Sequence, residues 1–292
     1  MEKLTSLRIK AYGKLNLMLD IAGVREDGYH LLETVMQSVS VYDLLEFELS
    51  EGCGIELLCE KAGFPLNEKN LIWKAIIAFY DYCGLHMKEK ITVRITKNLP
   101  SMAGMAGGSA DCAATLIAMN LLHGTKLSDE QLCSIGVKLG ADVPFCIMGG
   151  TRLCCGIGEE MTELTAPECY FCVVKPDLSI STPMAFKKYD SIENPEKCDT
   201  NAFLESLQKG SLFEMCKNMF NVLEYASEEE KIDSAKRHLI RSGALSAMMT
   251  GSGSAVFGVF KTEQEACEAL KKLDCYDFKA VCRPIDFSYE II

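Results

Sequence analysis

Three glycines in a run of small residues leave backbone N–H groups open to an oxyanion along Pro100, Ser101, Met102, Ala103, Gly104, Met105, Ala106, Gly107, Gly108, Ser109 and Ala110. A helical pattern follows at once, and its N-terminal dipole would favour an anion at the same place. A tight turn needs one glycine, so phosphate binding is the better account of this loop. It is not a Walker loop, a dinucleotide fingerprint or a Gly-x-Ser-x-Gly elbow, since none of those spacings occurs. Phosphoryl transfer also asks for a base to take the acceptor's proton and for positive charge near the transferred group. Asp142 and Lys14 are the candidates. Asp142 sits between Gly140 and Pro144, so rigid backbone aims its carboxylate. Lys14 shares a face with Asn16 in an otherwise apolar stretch, as a residue lining a cleft would. On their own, an ordinary aspartate after a helix and a solvated edge lysine remain open readings of the two.

These residues need elements to hold them. From Leu7 to Ile21 the chain alternates, with Leu15, Leu17, Leu19 and Ile21 on one face and Lys14, Asn16 and Met18 on the other, which predicts a half-buried strand. Further strands are expected at 44–49, 54–59 and 91–96, and a helix at 70–83 that ends near Gly84. After the glycine loop, 109–122 reads as a helix that stops at His123 and Gly124. Ser128 and Gln131 form a capping box for another, with Leu132, Ile135 and Leu139 as its buried stripe and Gly140 as its C-cap. Strands at 151–155 and 170–174, a polar connector at 190–201 and a glycine turn at 250–253 feeding a strand at 255–260 complete the pattern. A boundary near residue 160 divides the chain into 1–160 and 161–292.

At 292 residues, two modest domains sharing a cleft are the expected organisation. A net charge of −11 argues against nucleic acid or an anionic membrane as main partner, though not against a small basic pocket for a polyanion. The N-terminal ten residues lack a signal peptide's apolar run, and no stretch has the roughly 18 apolar residues of a membrane helix, so the expected location is cytoplasmic. Fifteen cysteines scattered through apolar segments read as reduced thiols. Cys169 and Cys172 have C-x-x-C spacing but no second pair, and the four histidines are far apart, which disfavours zinc.

Pro100, Gly104-Met105 and Gly107-Gly108-Ser109 together resemble the second signature of the GHMP kinases, named for the galactose, homoserine, mevalonate and phosphomevalonate kinases. Gly13-Lys14-Leu15-Asn16-Leu17 is similar to the family's N-terminal motif, and Thr250-Gly251-Ser252-Gly253-Ser254-Ala255 to its C-terminal one. The resemblance implies an α+β fold of two domains, a ribosomal-S5-like N-terminal half and a ferredoxin-like C-terminal half, with a cleft between them. It also implies ATP as phosphoryl donor, with Mg2+ and Ser109 as the candidate metal ligand. Lys14 and Asp142 become the catalytic pair, and the loop from Pro100 to Ala110 holds ATP with Lys97, Asn70 and Leu71 at its adenosine end.

Lys14-Leu15-Asn16, Arg25 to His30, Gly140 to Phe145 and Ser181-Thr182-Pro183 are most similar to members that phosphorylate the 2-hydroxyl of a CDP-linked methylerythritol, on the non-mevalonate route to isoprenoids. That likeness places Asn16, Tyr29, His30, Thr182, Pro183, Phe186, Gly251, Ser252 and Gly253 on the substrate, with Tyr29, His30 and Phe186 around the cytosine. Core packing is the rival account of Tyr29 and Phe186. A homoserine or mevalonate type of kinase and a non-catalytic nucleotide-binding homologue are the alternatives, and monomer and homodimer are both open. An RNA-binding module conflicts with the acidic charge. The chain departs from the family pattern at Met105, at Ala106 in place of a glycine, and at Ala110 in place of a second serine. The methyl of Ala106 is expected to be tolerated, and Ala110 to leave one fewer phosphate contact.

Overall fold

Long apolar runs near the N-terminus pair as two antiparallel strands, β1 (Ser6–Val24) and β2 (His30–Ser50), the spine of the molecule. The computed structural model describes residues 4–292, apart from 27, 29, 157, 159 and 228 and the side chains of 225 and 226. β3 (Gly54–Cys59), α1 (Leu71–Cys83) and β4 (Lys90–Thr96) form a crossover unit in which β3 and β4 run parallel. α1 opens on Asn70, whose side chain accepts from Ile72 N–H, and closes on left-handed Gly84. α2 (Gly107–His123), α3 (Asp129–Gly136) and α4 (Val143–Met148) follow, then the hairpin β5 (Thr151–Gly156) and β6 (Glu160–Leu164).

The second half holds β7 (Tyr170–Lys175), α5 (Thr182–Asp190), α6 (Thr200–Gln208), α7 (Leu212–Asn218), α8 (Val222–Ser227) and α9 (Glu230–Arg241). β8 (Ser246–Met249), β9 (Val256–Phe260), α10 (Glu263–Leu270), β10 (Phe278–Cys282) and β11 (Tyr289–Ile291) end the chain. Two sheets result. The first has the order β11-β1-β2-β4-β3, with β5 on the free half of β2 and β6 beyond it. The second is antiparallel in the order β10-β7-β9-β8, which is fourth, first, third, second along the chain, the ferredoxin-like order expected.

β1 is buried on both faces from Ala11 to Ile21, not on one as the alternation predicts. Leu15, Leu17 and Met18 pack with residues of the second sheet, while Ile9 and Ala11 join the core under α1 and α2. A register shift between Asn16 and Met18 lets the strand serve both. The first half of β2 goes unnoticed in the sequence for the same reason, because a strand covered on both sides loses its period of two. α3 has the expected capping box but ends at Gly136, four residues before Gly140. Tight i to i+3 bonds from Lys138 and Leu139 carry the chain on. A division at residue 160 also differs from the sheets, since β6 and the returning β11 both belong to the first. Among the described residues, no helix is long and apolar enough to cross a membrane.

Candidate functional site

The glycine loop leaves β4 and enters α2 through three left-handed residues, Met102 (φ 50°), Gly104 (φ 74°) and Ala106 (φ 57°). Ala106 is the N-cap of α2 and makes no side-chain cap bond, so the N–H groups of the first turn stay open. The cost of Ala106 is therefore conformational rather than spatial, about 1–2 kcal/mol for an L-residue with a Cβ in this region. Gly104 is required by contact as well. A Cβ there would lie 1.9 Å from the carbonyl oxygen of Thr250, because Ala255 N–H and Ser254 N–H donate to the Ala103 and Met102 carbonyls and hold the C-terminal glycine turn against the loop.

Loop and turn both line an open cavity of about 680 Å³. Residues 100–109, Lys14, Asn16, Leu71, Lys97 and Asp142 line it, with Thr182, Pro183, Phe186 and Gly251 to Gly253 opposite. Asn70 and Ala110 do not. Asn70 is spent on capping α1 and on a 2.6 Å bond to the Pro65 carbonyl, which steadies Phe64 and Pro65 at the cavity wall. Ala110 lies on the buried face of α2, so a hydroxyl there would meet packed side chains rather than the cavity. Thr182 and Ser252, from α5 and the glycine turn, meet hydroxyl to hydroxyl at 2.9 Å.

Lys14 and Asp142 arrive from opposite directions. Lys14 is buried on β1, 3% exposed, and its Nζ lies 3.6 Å from Asp142 Oδ2. Asp142 is the N-cap of α4 but its carboxylate makes no capping bond, which leaves it directed at the lysine and the cavity, with 38% of the side chain accessible. Lys14 Nζ also donates to Asn16 Oδ1 at 2.6 Å. The arrangement sets a carboxylate beside an ammonium on the cavity wall, the geometry general base work requires.

Lys97 lines the cavity, yet its ammonium is bound by Asp43 and by Asp111, the latter at 2.7 Å, and its side chain is only 4% exposed. What it presents to the cavity is its stem beside the Phe64 ring it overhangs, rather than a free charge. Asp43 Oδ1 accepts from Asn98 and Leu99 N–H, whereas Asp111 Oδ1 is buried with no hydrogen-bond partner. Burial pushes the Asp111 carboxyl up to about 7, and Lys97 only partly opposes it. A carboxyl raised in the folded state adds stability at low pH that is lost as pH climbs from about 4 to about 7. Asp111→Asn removes that loss. Thermal unfolding at pH 5 and pH 8 should show the wild type losing Tm relative to Asp111→Asn at the higher pH, and parallel curves would refute the assignment.

A second cavity, about 750 Å³, shares Leu32, Ala141, Thr182, Pro183 and Phe186 with the first. His30 opens β2. Its ring stacks on Phe186, centroids 4.6 Å apart, and its Nε2 is 2.7 Å from Asp190 Oδ1. Phe186 is half-buried against the core of the second half and also faces an aromatic partner at the cavity rim. Tyr29 lies outside the described residues. Sequence reasoning misses Thr34, Asp43, Asp111 and Asp190. Of these, only Asp111 carried a signal, a lone acid on an otherwise apolar helix.

Models of the GHMP kinase N-terminal and C-terminal domains match residues 70–150 and 203–280. A 4-diphosphocytidyl-2-C-methyl-D-erythritol kinase of Clostridium novyi (strain NT) is 42% identical over 272 residues, 92% of this chain and 94% of that protein. The crystal structure of a 4-(cytidine 5'-diphospho)-2C-methyl-D-erythritol kinase superimposes with a TM-score of 0.79 at 27% identity, covering 94% of this chain and 98% of that one. A homoserine kinase from Cytophaga hutchinsonii reaches 0.77 at 18% identity, covering 100% and 99%, and shares the fold alone. With identity that high across nearly the whole length, and with all three glycine and lysine motifs meeting at one cleft, the chain belongs to the GHMP kinase family.

Proposed function

We propose that this chain transfers the γ-phosphate of ATP to the 2-hydroxyl of 4-diphosphocytidyl-2-C-methyl-D-erythritol. The observation that carries the reading is the meeting of Lys14 and Asp142, 3.6 Å apart, in the cavity walled by the glycine loop. Similarity to the kinases named for that acceptor selects it over homoserine or mevalonate.

In this reading the loop N–H groups and the start of α2 hold the triphosphate, so the first sheet with α1–α4 is the nucleotide side. The second sheet with α5–α10 closes over the acceptor. Asp142 receives the hydroxyl proton as the oxygen attacks the γ-phosphorus. Lys14 balances charge on the attacking oxygen. Among the described residues no cluster of three His, Cys, Asp or Glu side chains could hold a metal ion, so Mg2+ would come with the nucleotide. Ser109, on the cavity wall, would be its hydroxyl ligand, and the ion would neutralise phosphate oxygens. The second cavity, with His30, Phe186 and Asp190, would take the cytosine end. Purified protein with ATP, Mg2+ and the CDP-linked acceptor should release ADP. Turnover of homoserine or mevalonate in its place would refute the acceptor and leave the family intact.

A further inference from the structure

We infer that Thr34 is a positioning residue for Lys14, acting through the side-chain amide of Asn16; the inference rests on the reading of Lys14 and Asp142 given above. Thr34 is 1% exposed, in the half of β2 that pairs with β5, carries no charge and stands at the wall of the first cavity. Its role follows from where the hydrogens must go. Thr34 Oγ1 lies 2.6 Å from the Met18 carbonyl oxygen, which can only accept, so the hydroxyl proton is committed there. The Thr34 oxygen is then left as an acceptor. The amide of Asn16 meets it at 2.9 Å and must present its NH2 group.

With Nδ2 fixed on Thr34, Oδ1 is turned to the other side, where two donors wait. Lys14 Nζ lies 2.6 Å from it and the Thr250 hydroxyl 3.3 Å. The Thr250 hydroxyl in turn accepts from Asn16 N–H at 3.0 Å and lies 3.3 Å from the Gly104 carbonyl, which ties the strand to both glycine motifs. Thr34 and Lys14 therefore agree on one amide orientation, and the Thr250 hydroxyl, which can give its proton to Asn16 Oδ1 or to the Gly104 carbonyl, is compatible with it. The opposite one would set an NH2 group against the ammonium and two acceptors against each other. A chain of contacts, buried as far as Lys14, thus runs from the Met18 carbonyl through Thr34, Asn16 and Lys14 to the half-exposed Asp142, and it fixes a lysine on a four-carbon stem within 3.6 Å of the carboxylate. Thr34 is the only one of these side chains with no charge or amide of its own, and it decides which end of the amide faces the catalytic pair.

The test is Thr34→Val, which keeps shape and removes both hydrogen bonds, with Thr34→Ser as the rescue that keeps the hydroxyl. We expect kcat for ADP release to fall about tenfold in Thr34→Val, with KM for ATP and for the acceptor within about twofold, and Thr34→Ser to recover most of the rate. In a Lys14→Met background, Thr34→Val should add no further loss, because it acts through that lysine. A kcat within twofold of wild type in Thr34→Val overturns the inference, as does equal impairment in Thr34→Ser, which would mean packing alone. If Thr34→Val does not fold, Thr34→Ala carries the same comparisons. If the wild type is inactive on the CDP-linked acceptor, that reading fails alone. The inference is then decided by crystal structures of wild type and Thr34→Val: Lys14 Nζ leaving Asn16 Oδ1 upholds it, and an unmoved lysine overturns it.

Discussion

Asp142→Asn lowers kcat by roughly 10² to 10⁴-fold, the usual span for loss of a general base, while leaving the fold and the KM for ATP nearly unchanged. The amide is isosteric but cannot accept the hydroxyl proton. Little stability is at stake, because the Asp142 carboxylate makes no capping bond to α4 and stands 38% exposed. Lys14→Met should fall in the same range. The double variant should be little worse than either single one, since the 3.6 Å pair acts as a unit. Steady-state ADP release at saturating substrates, with Tm measured alongside, checks all three. An Asp142→Asn enzyme with near wild-type kcat would remove the base from the scheme and leave phosphoryl transfer to positioning and charge.

Gly104→Ala should cost both stability and nucleotide binding. The new Cβ would stand 1.9 Å from the Thr250 oxygen, 2.8 Å from its carbonyl carbon and 3.3 Å from Gly253 N, all backbone atoms that no rotamer change relieves. The φ of 74° adds a left-handed penalty of about 1–2 kcal/mol. The loop must back away from the turn, breaking the 3.2 Å bond from Ala255 N–H to Ala103 O. We expect a loss of at least about 3 kcal/mol, seen as a Tm lower by several degrees, and a KM for ATP raised by about 100-fold or more. For the loss of stability, Gly108→Ala is the control. It has no left-handed φ, and its nearest heavy atom would be Leu71 Cδ1 at an ordinary 3.6 Å. Equal behaviour of the two variants would show that the loop and the turn do not depend on each other.

Local chemistry was legible wherever one stretch of chain suffices. Asn70 and Gly84 mark the ends of α1, Gly124 stops α2 in the left-handed region, and Ser128 with Gln131 caps α3, each because its signal is a backbone hydrogen bond or a φ angle within a few residues. The glycine loop and the shared face of Lys14 and Asn16 belong with them. The end of α3 was not legible, because Gly136 sits where a Cβ would strike Val143 at 2.6 Å, a contact made by the next helix.

Sequence alone supplies an inventory: a glycine-rich loop, a lysine on a strand, an aspartate in a turn and a second glycine turn, in an acidic chain long enough for two domains. Only the tertiary structure decided how they combine. It drew the ammonium of Lys97 toward Asp43 and Asp111, turned Ala110 into the core, and stacked His30 on Phe186. It also brought Thr250 against Asn16 across 234 positions. The physical reason is range. Caps and turns are set by interactions within a few residues, whereas the ionic and hydrogen-bond partners of a buried side chain are chosen by whichever strand or helix the packed core brings beside it.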